Sequence, residues 1–228
     1  GFGRRASVAR GSPGRLRAHV RAHLITSMGA IVWKDLLSEL RSRDTVMSLF
    51  VLGVLVLVIF QFALNLSPAE TRRLAPGMLW TAIVISSSLA IGRTLISERE
   101  AGCLGALVIA PIDRGSIFLA KLVVNVVLLS VFEITLLPVF ALMSDVSILA
   151  VWPQLAVVMF AGTLGLAAVG TLFALAAAGT RARETMLPLI ALPLEIPLVL
   201  AAVQCTEAVL AGASLTALGA WANLLFAF

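Results

Sequence analysis

Five stretches of this chain are long and apolar enough to cross a bilayer, and they leave few ways for it to fold. They run over 45–66, 76–96, 117–143, 153–178 and 187–210. A hydrocarbon layer of about 30 Å takes roughly 20 residues of helix, and only a helix or a closed barrel satisfies its own backbone there. A further apolar run, 213–228, is shorter, reaching about 24 Å at about 1.5 Å per residue. It is expected to form a sixth span. Sixty per cent of the residues are hydrophobic, 13% are charged and the mean hydropathy is +1.05. Soluble domains carry roughly 25% charged residues, so an aqueous core cannot hide this much apolar surface. The expected fold class is an all-α membrane protein of six transmembrane helices.

Charge sets the orientation. Nine Lys or Arg residues precede residue 45, four lie across 93–121, and Arg181 and Arg183 separate the fourth and fifth runs; only Arg72 and Arg73 lie between the first and second. By the positive-inside rule the N-terminus is expected on the cytoplasmic side. The net charge of +5 sits mostly in the N-terminal segment, so it reads as a topology or lipid signal and not as a nucleic-acid surface. Residues 1–27 hold six arginines, two histidines and no acid, and lack the apolar core of a secretory signal. They are expected to be a disordered basic extension, with MGAIVWKD at Met28 reading as a natural start. Residues 28–228 are expected to form one transmembrane domain. Within it, 29–44 places Ile31, Val32, Leu36, Leu37 and Leu40 at helical spacing opposite Lys34, Asp35, Glu39, Arg41 and Arg43. That pattern predicts an amphipathic helix lying on the interface.

The one long polar interruption is GRTLISEREAGCLGALVIAPIDRGSIFLAK, Gly92–Lys121. Glu98, Arg99 and Glu100 open it, Gly102 follows, and Leu104, Leu107 and Val108 then recur at i, i+3 and i+4 before Pro111 stops the turn. A short amphipathic helix at a membrane surface either lies on lipid or docks in a partner's groove.

Several chemistries are excluded by what the chain lacks. Neither Lys34 nor Lys121 belongs to a GxxxxGK[ST] loop, so ATP is not hydrolysed here. His19 and His23 are the only histidines, far from any span, which removes an intramembrane serine-protease base and a histidine-ligated metal or haem site. Cys103 and Cys205 are distant and form no metal-binding pair. A scaffold or transport subunit remains, with no enzymatic activity of its own. Arg93 lies near the end of the second run, where a long side chain can snorkel. Glu133 lies within the third run, and Glu195 lies in PLIALPLEIPLVL among Pro188, Pro193 and Pro197. An acid at membrane depth suggests a paired or functional group. The prolines are expected to kink or break the fifth helix.

Taken in order, WKDLLSELRSRD, RRLAPGMLW, SEREAGCLGALVIAP, FLAKLVVN and LPLEIPLVL closely resemble the haem exporter protein B (CcmB) family. The resemblance begins near Met28 and continues to the last residue. It implies an ABC-2 type exporter permease, present in two copies in a bacterial inner membrane. The 98–111 segment would then be the coupling helix between spans two and three, received by the ATPase CcmA. Haem-handling CcmC, the small subunit CcmD and the haem chaperone CcmE are the further partners implied. ATP and Mg would sit on the ATPase, and haem on partner subunits, with no cofactor on this chain alone. Glu195 stands where the family often has an aromatic residue. A permease for another cargo, a polysaccharide or a drug, shares the same features.

Overall fold

In the computed structural model, six helices follow one another among the described residues: α1 Arg43–Leu64, α2 Pro68–Glu100, α3 Arg114–Ser144, α4 Trp152–Ala176, α5 Arg183–Leu210 and α6 Ala220–Ala227. The structure describes residues 43–65, 67–100, 114–176, 183–213 and 219–227. The basic extension at 1–27, nearly all of the amphipathic segment at 29–44, and Gly102, Leu104, Leu107, Val108 and Pro111 lie outside them. Helices α1 to α5 are each long and apolar enough to cross a membrane. The sixth expected span is represented by α6, whose eight residues reach only about 12 Å.

The second helix starts earlier than its apolar run. Ser67 precedes Pro68, and Glu70 reaches back to it: the Ser67 N–H donates to Glu70 Oε2 at 2.9 Å, and the Ser67 hydroxyl to the same oxygen at 2.5 Å. In return the Glu70 N–H donates to Ser67 Oγ at 3.4 Å. This is a capping box with proline at the first helical position, where its missing N–H costs nothing. The helix passes through Pro76, which deprives only the carbonyl of exposed Arg72, near the helix end where water can replace the bond. The short turn before it bends at Asn65, with φ 43°, a conformation that asparagine tolerates better than most residues.

Helix α5 runs from Arg183 to Leu210 without interruption, so of the kink or break expected at its prolines the break does not occur. Each ring still removes one N–H, leaving the carbonyls of Leu189 and Pro193 without their helical donors.

Helices α2 and α4 are the most buried, α1 the least. Helix α2 packs on α1, α3, α4 and α5, and α6 rests on α5 and α4. On α1, Leu49 and Leu57 face the bundle while Met47, Val51, Leu55, Ile59 and Phe62 form an exposed stripe suited to lipid. Glycines let the helices approach closely. A Cβ on Gly165 would lie 2.7 Å from Leu198 Cδ2, and one on Gly170 2.4 Å from Ile91 Cδ1. Where α2 begins, the exposed Arg72 and Asp145 side chains form an ion pair between α2 and the α3–α4 connection.

Candidate functional site

The interior of the bundle carries polar side chains at separate levels, and each has to be satisfied by protein, because lipid offers no hydrogen bonds. Along α3, Lys121, Asn125 and Glu133 recur at multiples of four residues and so share one face of the helix. All three are buried; Glu133 is 4% exposed and Lys121 8%. Opposite them on α4 stand Thr171 and Thr163. The Asn125 side-chain amide donates to Thr171 Oγ1 at 2.8 Å. The Thr163 hydroxyl lies against both Glu133 Oε1 and the carbonyl of Met159, the latter at 2.8 Å, so one proton is shared between two acceptors. Between these two levels Leu129 of α3 and Ala167 of α4 are both fully buried.

A third contact joins α2 to α5. The Trp80 indole N–H donates to Thr206 Oγ1 at 2.9 Å, and Thr206 passes its own proton to the Ala202 carbonyl at 2.7 Å. Burying tryptophan in a membrane interior requires such a partner for its N–H. Trp80 and Thr206 are themselves fully buried.

Glu195 differs from Glu133. It too is 4% exposed, yet its Oε2 has no hydrogen-bond partner among the described residues. It lies on the same face of α5 as Thr206, eleven residues away, while Pro193 points to the other side and is exposed. The acid and the prolines therefore do not form one site, although they stand together in the chain. Arg93, Glu98, Arg99 and Glu100 belong to the last two turns of α2, with no description of their side chains. Of the two intramembrane acids singled out from sequence, Glu133 is seen with a hydrogen-bonded partner among the described residues. Asn125, Thr163, Thr171 and Thr206 were missed. The four-residue recurrence of Lys121, Asn125 and Glu133 in an otherwise apolar run was the available signal.

These groups are amide, hydroxyl, carboxyl, indole and ammonium. Where their partners are seen, they join one helix to another. The chain as a whole matches the model of the CcmB protein family over residues 26–228. It belongs to the CcmB family. Three relatives fit that placement, each named heme exporter protein B. The protein of Haemophilus influenzae is 27% identical over 178 residues, covering 78% of this chain and 80% of its own length. The one from Bradyrhizobium diazoefficiens is 24% identical over 188 residues, with 82% and 84% covered. That of Pseudomonas aeruginosa is 26% identical over 158 residues, with 69% and 70% covered. The CcmB match takes in all six helices, including the polar seam of α3 and α4.

Proposed function

We propose that this chain is the membrane permease subunit of an ABC-type haem exporter that serves cytochrome c maturation. The observation that carries the reading is the family match over residues 26–228, together with relatives named heme exporter protein B along most of their length. With no phosphate-binding loop of its own, the chain needs a partner to hydrolyse ATP, and CcmA fills that place. Glu98, Arg99, Glu100, Gly102, Leu104, Leu107, Val108 and Pro111 form the surface that meets this ATPase. Its closure is transmitted into α2 and α3, which flank that segment. The basic residues set the N-terminus and this segment on the cytoplasmic side of a bacterial inner membrane. A sixth span built around α6, a second copy of the chain, CcmC and CcmD complete the assembly. Haem is the cargo, held by partner subunits, and the work done is release of the haem-loaded chaperone CcmE on the far side.

Deleting the gene tests the reading. Loss of all c-type cytochromes on a haem-stained gel, restored by this chain and accompanied by an ATPase that co-purifies with it, is the expected result. Normal cytochromes with a defect in polysaccharide or drug export would replace haem by another cargo.

A further inference from the structure

Glu195 is a buried acid that the bundle leaves without a partner. It is 4% exposed, its Oε2 accepts no hydrogen bond, and it joins no ion pair among the described residues. Its level follows from the contacts around it. Trp80 lies over Gly162 and bonds to Thr206, Gly165 meets Leu198, and Ile91 meets Gly170. Helix α5 therefore runs opposite to both α2 and α4. Eleven residues back from Thr206, Glu195 is level with Ile91, which is eleven residues on from Trp80. Ile91 packs there with Ala174 and Leu175, in apolar surroundings.

The charged and titratable groups of the neighbouring helices stand elsewhere. Helix α5 packs on α2, α4 and α6, and neither α4 nor α6 has an ionisable side chain. On α2, Glu70, Arg72 and Arg73 are about 27 Å or more from Ile91 along the axis. Arg93 stands two positions past Ile91, a step that leads to the opposite side of the helix. Glu98, Arg99 and Glu100 come about 10 Å or more further on. On α5 itself, Arg183, Glu184, Cys205 and Glu207 are each about 15 Å or more from Glu195 along the axis.

A carboxylate left bare in such surroundings is costly, and a basic side chain, a metal cation or a proton would relieve it. No basic side chain among the described residues does so. A hard metal cation takes several oxygen ligands at once, and no group of three acids, histidines or cysteines stands together among the described residues. A proton needs only the one free oxygen. We infer that Glu195 is a proton-binding site of the membrane domain, a neutral acid kept in the bundle beside Ile91. It lies near the start of the apolar span Pro193–Leu210, at the end of the bundle where α2 finishes and α3 begins. The proton is taken up and given back at that surface. The inference needs only that the chain spans a membrane, and it stands apart from the cargo and the ATPase.

The test is treatment of the full chain in native membranes, at neutral pH, with the apolar reagent dicyclohexylcarbodiimide. A neutral acid passes its proton to one nitrogen of the reagent while a carboxyl oxygen bonds to the central carbon. Migration of the acyl group to nitrogen then leaves a stable N-acylurea, with nothing expelled. Mass spectrometry should find this adduct at Glu195 at least tenfold above that at the exposed Glu70 and Glu207. A water-soluble carbodiimide with glycine ethyl ester should reverse the order. Both results are read on the native chain and do not depend on how a variant folds. In the infrared spectrum, Glu195→Gln should lose the band of a neutral carboxylic acid. Loss of a carboxylate band instead would mean that a basic group or a cation holds Glu195 ionised, and would overturn the inference. Labelling of Glu195 by the water-soluble reagent as fast as Glu207 would overturn it as well.

Discussion

A methyl group placed on Gly162 would lie 2.1 Å from Cη2 of Trp80. The ring edge occupies the place of the missing side chain while its N–H is bonded to Thr206 at 2.9 Å. One indole thus joins α2 to α4 by shape and to α5 by hydrogen bond. Gly162→Ala should force the ring off its partner, and overpacking of this kind costs about 1–3 kcal/mol. The check is thermal unfolding in detergent: Gly162→Ala should melt several degrees lower. Trp80→Leu should melt low as well, but the double variant should lose less than the two losses together. Full additivity would mean that the two positions are not coupled.

The Glu133–Thr163 pair makes a separate prediction. Thr163→Val removes the described partner of a buried carboxyl, and stranding such a group costs about 1–3 kcal/mol. Glu133→Gln keeps an acceptor and adds donors at the same place, so its loss should be smaller. Glu133→Leu combined with Thr163→Val replaces both polar groups by apolar ones and should recover much of the loss of Thr163→Val alone. The measurement is again unfolding in detergent, with membrane insertion verified first. A double variant no better than Thr163→Val would show that the carboxyl is satisfied by something other than Thr163.

For the proposed coupling segment, Leu104→Asp or Leu107→Asp would put a charge into the groove of the ATPase. Burying an unpaired charge is costly enough to empty such a groove. Recovery of the ATPase with the purified chain should fall at least tenfold while membrane insertion stays normal. Equal recovery in both variants would place the docking surface elsewhere.

The fourth prediction concerns the cargo. Haem iron is held in proteins by His, Met, Cys or Tyr. This chain has no tyrosine, and its histidines are confined to residues 19 and 23. Buried methionines such as Met78 and Met159 stand among core leucines and valines, where methionine commonly fills gaps. The isolated subunit in detergent should therefore show no Soret band of near-stoichiometric height. A strong band lost on replacing one methionine would make this chain a haem site.

Much of the fold was legible in the chain. Long apolar runs placed all five long helices, because a span is a local property of about 20 consecutive residues. Their boundaries were harder to read. The apolar run at 76–96 gave no sign of where its helix begins; the signal for that was Ser67 with Glu70 three residues on. Of the kink or break expected from the prolines of the fifth run, α5 shows no break: a helix held on one side by its neighbours tolerates a lost N–H. The interior partners were the least legible part. Asn125 and Thr171 are 46 residues apart, and Trp80 and Thr206 are 126 apart. Pairings across helices leave no periodic trace in either one, except where several polar residues share a face.

The two rungs between α3 and α4 have a mechanical consequence. From Asn125–Thr171 to Glu133–Thr163 is eight residues forward on one helix and eight back on the other. A slip of one helix past its neighbour by a single turn would break both bonds at once and bring apolar residues opposite the polar ones. These two helices therefore travel as one piece. Any rearrangement within the bundle would have to open along boundaries other than this one.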